Sequence, residues 1–226
     1  GKLVILEGEA GVGKSRLAVE VGFSVADEWE DGVWRVAVDD LSDSALLTVT
    51  IAHALGMQAT ADVPDDALLS ELEQRRALLV LDGCERHLGA VADLASGLLG
   101  RNPRSTVLAT TQEPLHIAGE RVLRLRPLPT TEPTDGATAV SPAVQLFVDR
   151  AQAADAGFRL THDNADAVVE VTRRLDGLPL AAEIAAARVV AFTPAELLES
   201  LEHSTRLLRS KDPSLPGRHR TLESLL

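Results

Sequence analysis

GEAGVGKS, residues 8–15 of the chain, is the most informative segment of this sequence. It fits the pattern G-x-x-x-x-G-K-[ST] at every fixed position. Its glycines let the backbone curl so that successive N–H groups point inward, and a helix that begins at about Lys14 adds the free N–H groups and the dipole of its N-terminus. Converging N–H groups beside one ammonium group predict a site for a polyphosphate.

The context of this stretch supports the same interpretation, because a short apolar strand precedes it and a helix with apolar residues at helical spacing follows. We therefore expect the chain to bind ATP or ADP with Mg²⁺. Lys14 would reach the β- and γ-phosphates, and the hydroxyl of Ser15 would bind Mg²⁺. The predicted nucleotide contacts in this stretch are Gly8, Ala10, Gly11, Val12, Gly13, Lys14, Ser15 and Arg16.

A second candidate segment is LLVLD, residues 78–82, an apolar strand that ends in Asp82. A carboxylate at the carboxyl end of such a strand would lie beside the phosphate loop and hold a Mg²⁺-bound water, although Asp-Gly is also a common turn pair. Position 83 is glycine, so the nearest acid that could orient a water molecule is Glu85, unless it is an ordinary solvated loop residue. Lys14, Asp82 and Glu85 are the candidate catalytic residues, and weak or absent turnover is expected.

Polar residues also close the fourth predicted strand, as Thr110, Thr111 and Gln112. They would lie at the same edge of the sheet and could sense a γ-phosphate. Threonines are common at strand ends, so an ordinary structural role is an equal alternative.

Five apolar runs predict strands, at residues 3–6, 33–38, 78–81, 106–110 and 121–125, with helices between them at 14–25, 45–55, 65–76 and 91–99. Glycines at 56 and 100 are the predicted stops of two of these helices. Strands that alternate with helices indicate an α/β fold with a five-stranded parallel sheet, which together with the phosphate loop is the pattern of a P-loop NTPase. After the sheet, only helices are predicted, so a small all-helical subdomain follows.

The organisation along the chain is therefore a nucleotide-binding domain at residues 1–128, a proline-rich linker at 129–141 and a helical subdomain at 142–210. The last predicted helix opens with Thr193-Pro194-Ala195-Glu196, which is a capping box with proline at the first helical position. We expect the chain to be a fragment of a longer protein, whose other domains are its partners.

Composition limits the other partners. The formal net charge of −12 disfavours direct binding of DNA by this segment, because the surface repels a phosphate backbone. The single cysteine, Cys84, suits a reducing cytoplasm, and no apolar run of 18 residues predicts a membrane span.

Four segments in this order resemble one family: residues 8–15, LLVLDGCE at 78–85, LATTQEPL at 108–115 and RLDGLPLAAEIAAA at 174–187. The chain resembles the NB-ARC-type nucleotide-binding domain of bacterial STAND regulators. Within these it is most similar to the ATPase domain of large antibiotic regulatory proteins of the SARP type and of related LuxR-type regulators. The GLPL segment in a helical region after the sheet is the feature that narrows the resemblance.

The resemblance implies a switch in which ADP holds a resting state, while ATP permits homo-oligomerisation and activates transcription. It also implies that Pro179 packs on the adenine, a role that sequence pattern alone does not give, since Gly177 and Pro179 are also an ordinary helix stop and helix start. The family's winged-helix domain would follow, with residues 211–226 leading into it, and a Gly-Arg pair near the adenine would precede the first strand.

Two positions depart from the family. Gly83 replaces the usual Asn, and Gln112 replaces the Arg that would sense the γ-phosphate. These departures leave a scaffold as one alternative function, either one that binds nucleotide without turnover or one whose nucleotide site is vestigial. A metabolic P-loop kinase for a small molecule is another, although no basic lid cluster is evident.

Overall fold

The computed structural model describes residues 3–57, 65–102, 104–130 and 140–211, with side chains up to residue 203. The chain divides into two compact units, Gly1–Leu125 and Arg126–Leu226, which are described here separately. Of the predicted linker at 129–141, residues 131–139 lie outside the described part of the chain. So does nearly all of the predicted lead at 211–226, since the description ends at residue 211.

The first unit contains a five-stranded parallel sheet, which confirms the predicted fold class. Its strands are β1 (Leu3–Glu7), β2 (Val33–Ala37), β3 (Leu78–Asp82), β4 (Thr106–Thr111) and β5 (Glu120–Arg124), in the order β2-β3-β4-β1-β5. Every neighbouring pair is parallel. The carboxyl ends of β1, β3 and β4 therefore share one edge of the sheet.

Helices cover both faces of this sheet. They are α1 (Lys14–Ser24), α2 (Leu47–Ala54), α3 (Asp65–Glu73) and α4 (Leu88–Arg101). One face packs in a large core with α2, α3 and α4 and includes Leu79 and Leu81 of β3. The other face packs against α1 and includes Leu78 and Val80 of the same strand. Because side chains alternate along a strand, Asp82 belongs to the α1 face.

Most predicted element bounds agree with the structure to within three residues, but the predicted stop at Gly100 is wrong. Helix α4 continues through Gly100 and ends at Arg101. The side-chain amide of Asn102 donates to the carbonyls of Leu72 and Arg75 and to the hydroxyl of Ser105. This buried network determines where the helix ends, so Gly100, which lies within the helix, does not mark its end.

The second unit is helical in its described residues. It contains α5 (Pro142–Ala154), α6 (His162–Arg174), α7 (Pro179–Ala187) and α8 (Pro194–Lys211). The capping box predicted for α8 is present, since Thr193 N–H donates to the Glu196 carboxylate and Glu196 N–H donates to the Thr193 hydroxyl. No helix in the described ranges is long and apolar enough to cross a membrane.

Candidate functional site

The predicted phosphate loop connects β1 to α1 at the carboxyl edge of the sheet. Its backbone is anchored there, because the Gly8 N–H donates to the Thr111 carbonyl at 3.2 Å. Gly8 is required by close packing, since an added Cβ would lie 2.9 Å from a Val12 methyl carbon and 3.0 Å from the Leu125 carbonyl oxygen. The start of the loop is therefore fixed by a backbone hydrogen bond and by packing that leaves no room for a side chain at position 8.

The middle of the loop has the backbone that its glycines predict. Gly11 and Gly13 have φ angles of 80° and 100°, in the left-handed region that glycine adopts without steric cost. A Cβ added at Gly13 would meet nothing within 4 Å, so space is open beside the start of α1. Since the first N–H groups of a helix have no partner within it, this turn leaves room for an anion at a helix N-terminus.

Lys14 is the first residue of α1, and only 7% of it is exposed. Its Nζ donates to the carbonyl oxygens of Gly8 at 2.9 Å and Glu9 at 3.1 Å, and lies 3.5 Å from Glu85 Oε1. The ammonium group is thus held at the loop by its own chain. Glu85 reaches it from the short 3-10 turn Cys84–Arg86 that follows β3.

The other predicted residues of the loop have different surroundings. Val12 is buried against Gly8, and its N–H donates to the Glu9 carbonyl at 3.3 Å. Ala10 is exposed at the turn, and Ser15 and Arg16 are exposed in the first turn of α1. Their exposure leaves them accessible to a ligand that binds at the loop.

Asp82 is the last residue of β3 and is 97% buried, with 3% exposed. Its Oδ1 accepts a hydrogen bond from the Thr110 hydroxyl at 2.7 Å, and its Oδ2 accepts from Arg35 Nη2 at 2.6 Å and Nε at 3.2 Å. Burial alone would raise the pKa of Asp82, but hydrogen bonds from Thr110, Arg35 and Ser15 and the charge of Arg35 outweigh it and lower the pKa. Asp82 is therefore a stable carboxylate, and the Ser15 hydroxyl donates a hydrogen bond to it.

These residues suit a magnesium ion. The hydroxyl of Ser15 and the carboxylate of Asp82 are hard oxygen ligands. A hydrogen bond between these two side chains connects the start of α1 to the end of β3. No group of three or more histidine, cysteine, aspartate or glutamate side chains in the described ranges forms a metal cage. A site with one carboxylate and one hydroxyl is typical of Mg²⁺ that also binds phosphate oxygens and water.

At the end of β4, Thr110 has a structural role, while sensing of a γ-phosphate by this segment stays a prediction. Thr110 is fully buried, and its Oγ1 both donates to Asp82 and accepts from the Gly83 N–H at 2.8 Å. Its side chain is occupied in orienting Asp82. Gln112 is exposed beyond the strand and remains the polar side chain of this segment that a ligand could reach.

The departure at position 83 has a structural reason. Gly83 has a φ angle of 77°, and an added Cβ would lie 2.7 Å from Cβ and Cγ of Asp39. A side chain here would clash with Asp39 in addition to its conformational cost. Burial raises the pKa of the neighbouring Cys84 thiol to about 12, and the charges of Glu85, Asp82 and Asp39 act in the same direction. The turn after β3 thus brings three carboxylates together, of which Glu85 is paired with Lys14 and Asp82 with Arg35.

Arg35 is the residue of this site that the sequence analysis missed. The register pairs it with Val80, so it lies on the same face of the sheet as Asp82. A signal was present in the sequence, since Arg35 is a charged residue inside the otherwise apolar strand VWRVA. Its partner could not be identified before the order of the strands was known.

Pro179 begins α7 in the second unit and is partly exposed. The preceding Gly177 has a φ angle of 66°, and its carbonyl accepts a hydrogen bond from the Leu128 N–H at 2.9 Å. A Cβ added at Gly177 would lie 2.0 Å from the Leu128 carbonyl oxygen. The GLPL glycine is therefore explained by packing within its own unit.

Comparisons with known proteins agree with this fold. No protein-family model matches the chain. The chain is 40% identical over 227 residues to a protein of Mycobacterium bovis whose name describes an HTH-type transcriptional regulator, which covers 99% of the chain and 24% of that protein. It is 38% identical over 208 residues to an uncharacterized protein of Mycobacterium tuberculosis, which covers 92% of the chain and 51% of that protein. The chain thus spans about a quarter and about half of these relatives.

Solved structures show the same architecture. The Drosophila ORC bound to DNA superposes with a TM-score of 0.63 at 12% identity, over 95% of this chain and 64% of that chain. A STAND protein (signal transduction ATPase with numerous domains) with a tetratricopeptide repeat sensor from Pyrococcus horikoshii gives a TM-score of 0.50 at 15% identity, over 99% and 36%. At these identities the likeness shows the fold alone, a parallel sheet with helices on both faces.

Proposed function

We propose that this chain is the ATP- and ADP-binding switch domain of a multidomain transcriptional regulator. The observation that carries the proposal is the meeting of three groups at one edge of the sheet. The open glycine turn at Gly13, the ammonium group of Lys14 and the Ser15–Asp82 hydrogen bond all lie where β1 and β3 end. Together they provide main-chain donors, one cation and a pair of oxygen ligands, which are what a nucleotide polyphosphate with Mg²⁺ requires.

In this proposal, the phosphates bind to the N–H groups of the loop and of the first turn of α1. Lys14 exchanges its contact with Glu85 for a phosphate oxygen and keeps the loop closed through the Gly8 and Glu9 carbonyls. Ser15 and Asp82 would hold Mg²⁺, whose charge would neutralise the phosphate oxygens. Thr110 keeps Asp82 in position through the 2.7 Å hydrogen bond. Arg16 and the other residues of the loop remain predicted contacts, and Pro179 remains a predicted contact of the adenine.

Hydrolysis is proposed to be slow. Glu85 is the acid nearest to Lys14, and its 3.5 Å ion pair with that residue keeps it from acting as a free base until a nucleotide separates the two groups. Gly83 and Gln112 supply no further acid, base or cation. A nucleotide that persists after binding suits a switch, in which ADP and ATP stabilise different states and ATP favours a homo-oligomer.

The regulatory role rests on the relatives. A protein described as an HTH-type transcriptional regulator contains a segment 40% identical to nearly the whole of this chain. We propose that the other domains of a longer chain are the partners of this segment, which does not itself bind DNA because its net charge is −12. Of the finer family assignments, the NB-ARC class and its SARP and LuxR types remain proposals, as does a cytoplasmic location.

Calorimetric titration of the chain with ADP and ATP, with and without Mg²⁺, tests the proposal. We expect saturable binding of both nucleotides that is tighter with Mg²⁺, and turnover that does not depend on any added acceptor. Nucleotide released by denaturing the purified protein should be ADP. Turnover that requires a small-molecule acceptor would instead identify a kinase.

A scaffold that binds no nucleotide is a second candidate, and one observation favours it. The Lys14 ammonium group already has two carbonyl oxygens and one carboxylate as partners within the chain. If neither nucleotide binds at millimolar concentration with Mg²⁺ present, the scaffold is correct and the switch is not.

A further inference from the structure

Arg35 lies in the edge strand β2 and directs its guanidinium group at the proposed magnesium ligand. Both Nη2 and Nε donate to the same oxygen of Asp82, at 2.6 and 3.2 Å. Charge-assisted hydrogen bonds of this length are among the stronger ones in proteins. A metal ligand is thus paired with a cation of the chain's own.

The pair compensates a carboxylate that has little access to water. Asp82 has 5% of its side chain exposed, and its other oxygen is occupied by Thr110. Asp39 also lies at this turn, since its Cβ and Cγ are 2.7 Å from the position of a Cβ at Gly83, and Glu85 follows two residues later. A buried carboxylate in such surroundings is costly without a cation beside it.

The two partners differ in how easily each can leave. Half of the Arg35 side chain, 50%, is exposed, whereas Asp82 is fixed in the sheet. Arg35 also lines a cavity of about 260 Å³ between α1 and β2, whose other walls are mostly apolar and include Ala18, Gly22 and Val80. Because the cavity is open to Arg35 and half of the side chain already lies in water, the guanidinium can turn outward into solvent without rearranging the sheet.

We propose that Arg35 is a resident counter-ion that occupies the magnesium position on Asp82 and is displaced when Mg²⁺ arrives with a nucleotide. This inference rests on the proposed function. Because one cation replaces another, the charge at Asp82 stays compensated in both states. Arg35 then sets how much Mg²⁺ the site needs, since the ion must compete with the guanidinium, and it permits some nucleotide binding without metal by shielding the phosphates from Asp82.

The experiment is a titration of a fluorescent ADP analogue into the chain, in EDTA and over a range of Mg²⁺ concentrations, for the wild type and Arg35→Gln. We expect the half-saturating Mg²⁺ concentration to fall by roughly 3- to 10-fold in the variant, because the competitor is gone. Metal-free affinity should fall by a similar factor, because Asp82 then repels the phosphates. Arg76→Gln is the matched control, since Arg76 forms a 3.5 Å ion pair with Glu30 just before β3, at the opposite edge of the sheet, and it should change neither value.

A half-saturating Mg²⁺ concentration that is unchanged or higher in Arg35→Gln would overturn the proposal that Arg35 competes with Mg²⁺ for Asp82. Arg35→Lys keeps the charge, so its half-saturating Mg²⁺ concentration should remain near that of the wild type. If Arg35→Lys instead behaves like Arg35→Gln, the positive charge at position 35 is not the cause of the effect. Should Arg35→Gln fail to fold, the NMR signal of Arg35 Nε–H in the wild type decides, because MgADP should shift it to the position of a solvent-exposed guanidinium. Wild-type protein that binds no nucleotide would overturn the proposed function as well, whereas binding with no effect of Arg35 overturns this inference alone.

Discussion

Two glycine turns that the sequence analysis singled out, at Gly13 and at Gly177, have nearly the same backbone and opposite surroundings. Each precedes a helix, and their φ angles are 100° and 66°. Beside Gly13 an added Cβ would meet nothing within 4 Å, whereas beside Gly177 it would lie 2.0 Å from the Leu128 carbonyl oxygen. One turn is open, and the other is filled by its own chain.

The difference shows that a glycine motif has two separate physical explanations. A left-handed φ angle accounts for the glycine in both turns. Only the open turn also has space for a ligand beside the N–H groups of its helix, while the filled turn has a structural reason that needs no ligand. The comparison therefore supports a ligand site at residues 8–15 and leaves the role of Pro179 as a prediction.

The largest expected effect is on the stability of the filled turn. Gly177→Ala should lower the free energy of unfolding by about 3 kcal/mol, because the new methyl group meets a backbone carbonyl in addition to the cost of the left-handed φ angle. Chemical denaturation measures this value. The matched control is Gly56→Ala, with a φ angle of 76° and nothing within 4 Å, which should cost only about 1 kcal/mol. Equal costs would mean that the Leu128 contact does not constrain the turn.

The open turn should respond in the opposite way. Gly13→Ala should destabilise the chain by about 1 kcal/mol, like Gly56→Ala, because only the φ angle is unfavourable. Its affinity for MgADP should fall at least about tenfold, which is about 1.4 kcal/mol, because the methyl group enters the space proposed for the phosphates. Unchanged affinity, measured by calorimetry, would remove the distinction between the two turns.

A smaller effect concerns the carboxylate beside the open turn. Because the pKa of Asp82 lies below its ordinary value of 3.8, the ionised form stabilises the fold above that pH, and this stabilisation is lost as the pH falls through the lower pKa of the folded state. Asp82→Asn should be less stable than the wild type at pH 7 by about 1 kcal/mol. The difference should shrink as the pH is lowered below about 3.8. A difference independent of pH, in urea unfolding at several pH values, would contradict the depressed pKa.

Local patterns in the sequence predicted most of the fold. The buried strands are short apolar runs bounded by glycine or polar residues, and the phosphate loop has a backbone that its three glycines require. Such signals are confined to a few neighbouring residues, so no knowledge of the tertiary structure is needed. The predicted end of α4 was wrong because it depends on contacts that are not local. The Asn102 network joins residues that are about 30 positions apart.

The missed parts of the site depend on strand order and side-chain packing. Asp82 could be predicted as the last residue of an apolar strand. Arg35 could not be assigned to it, because the two residues are 47 positions apart and nothing in the sequence between them indicates that β2 and β3 are neighbours. The ion pair of Lys14 with Glu85 and the hydrogen bonds of Thr110 are likewise contacts between separate elements. They decide which groups are available to a ligand and which already have a partner.

Calorimetric titration of MgADP into the wild type and Lys14→Ala is the most direct test of the claim that the loop gathers a polyphosphate. Arg76→Ala serves as the control for loss of one cation, because Arg76 pairs with Glu30 at the amino ends of the strands, away from the phosphate loop. We expect Lys14→Ala to lose at least about 100-fold in affinity, or about 2.7 kcal/mol, while its unfolding remains cooperative. Equal affinity in Lys14→Ala and the wild type would contradict the account.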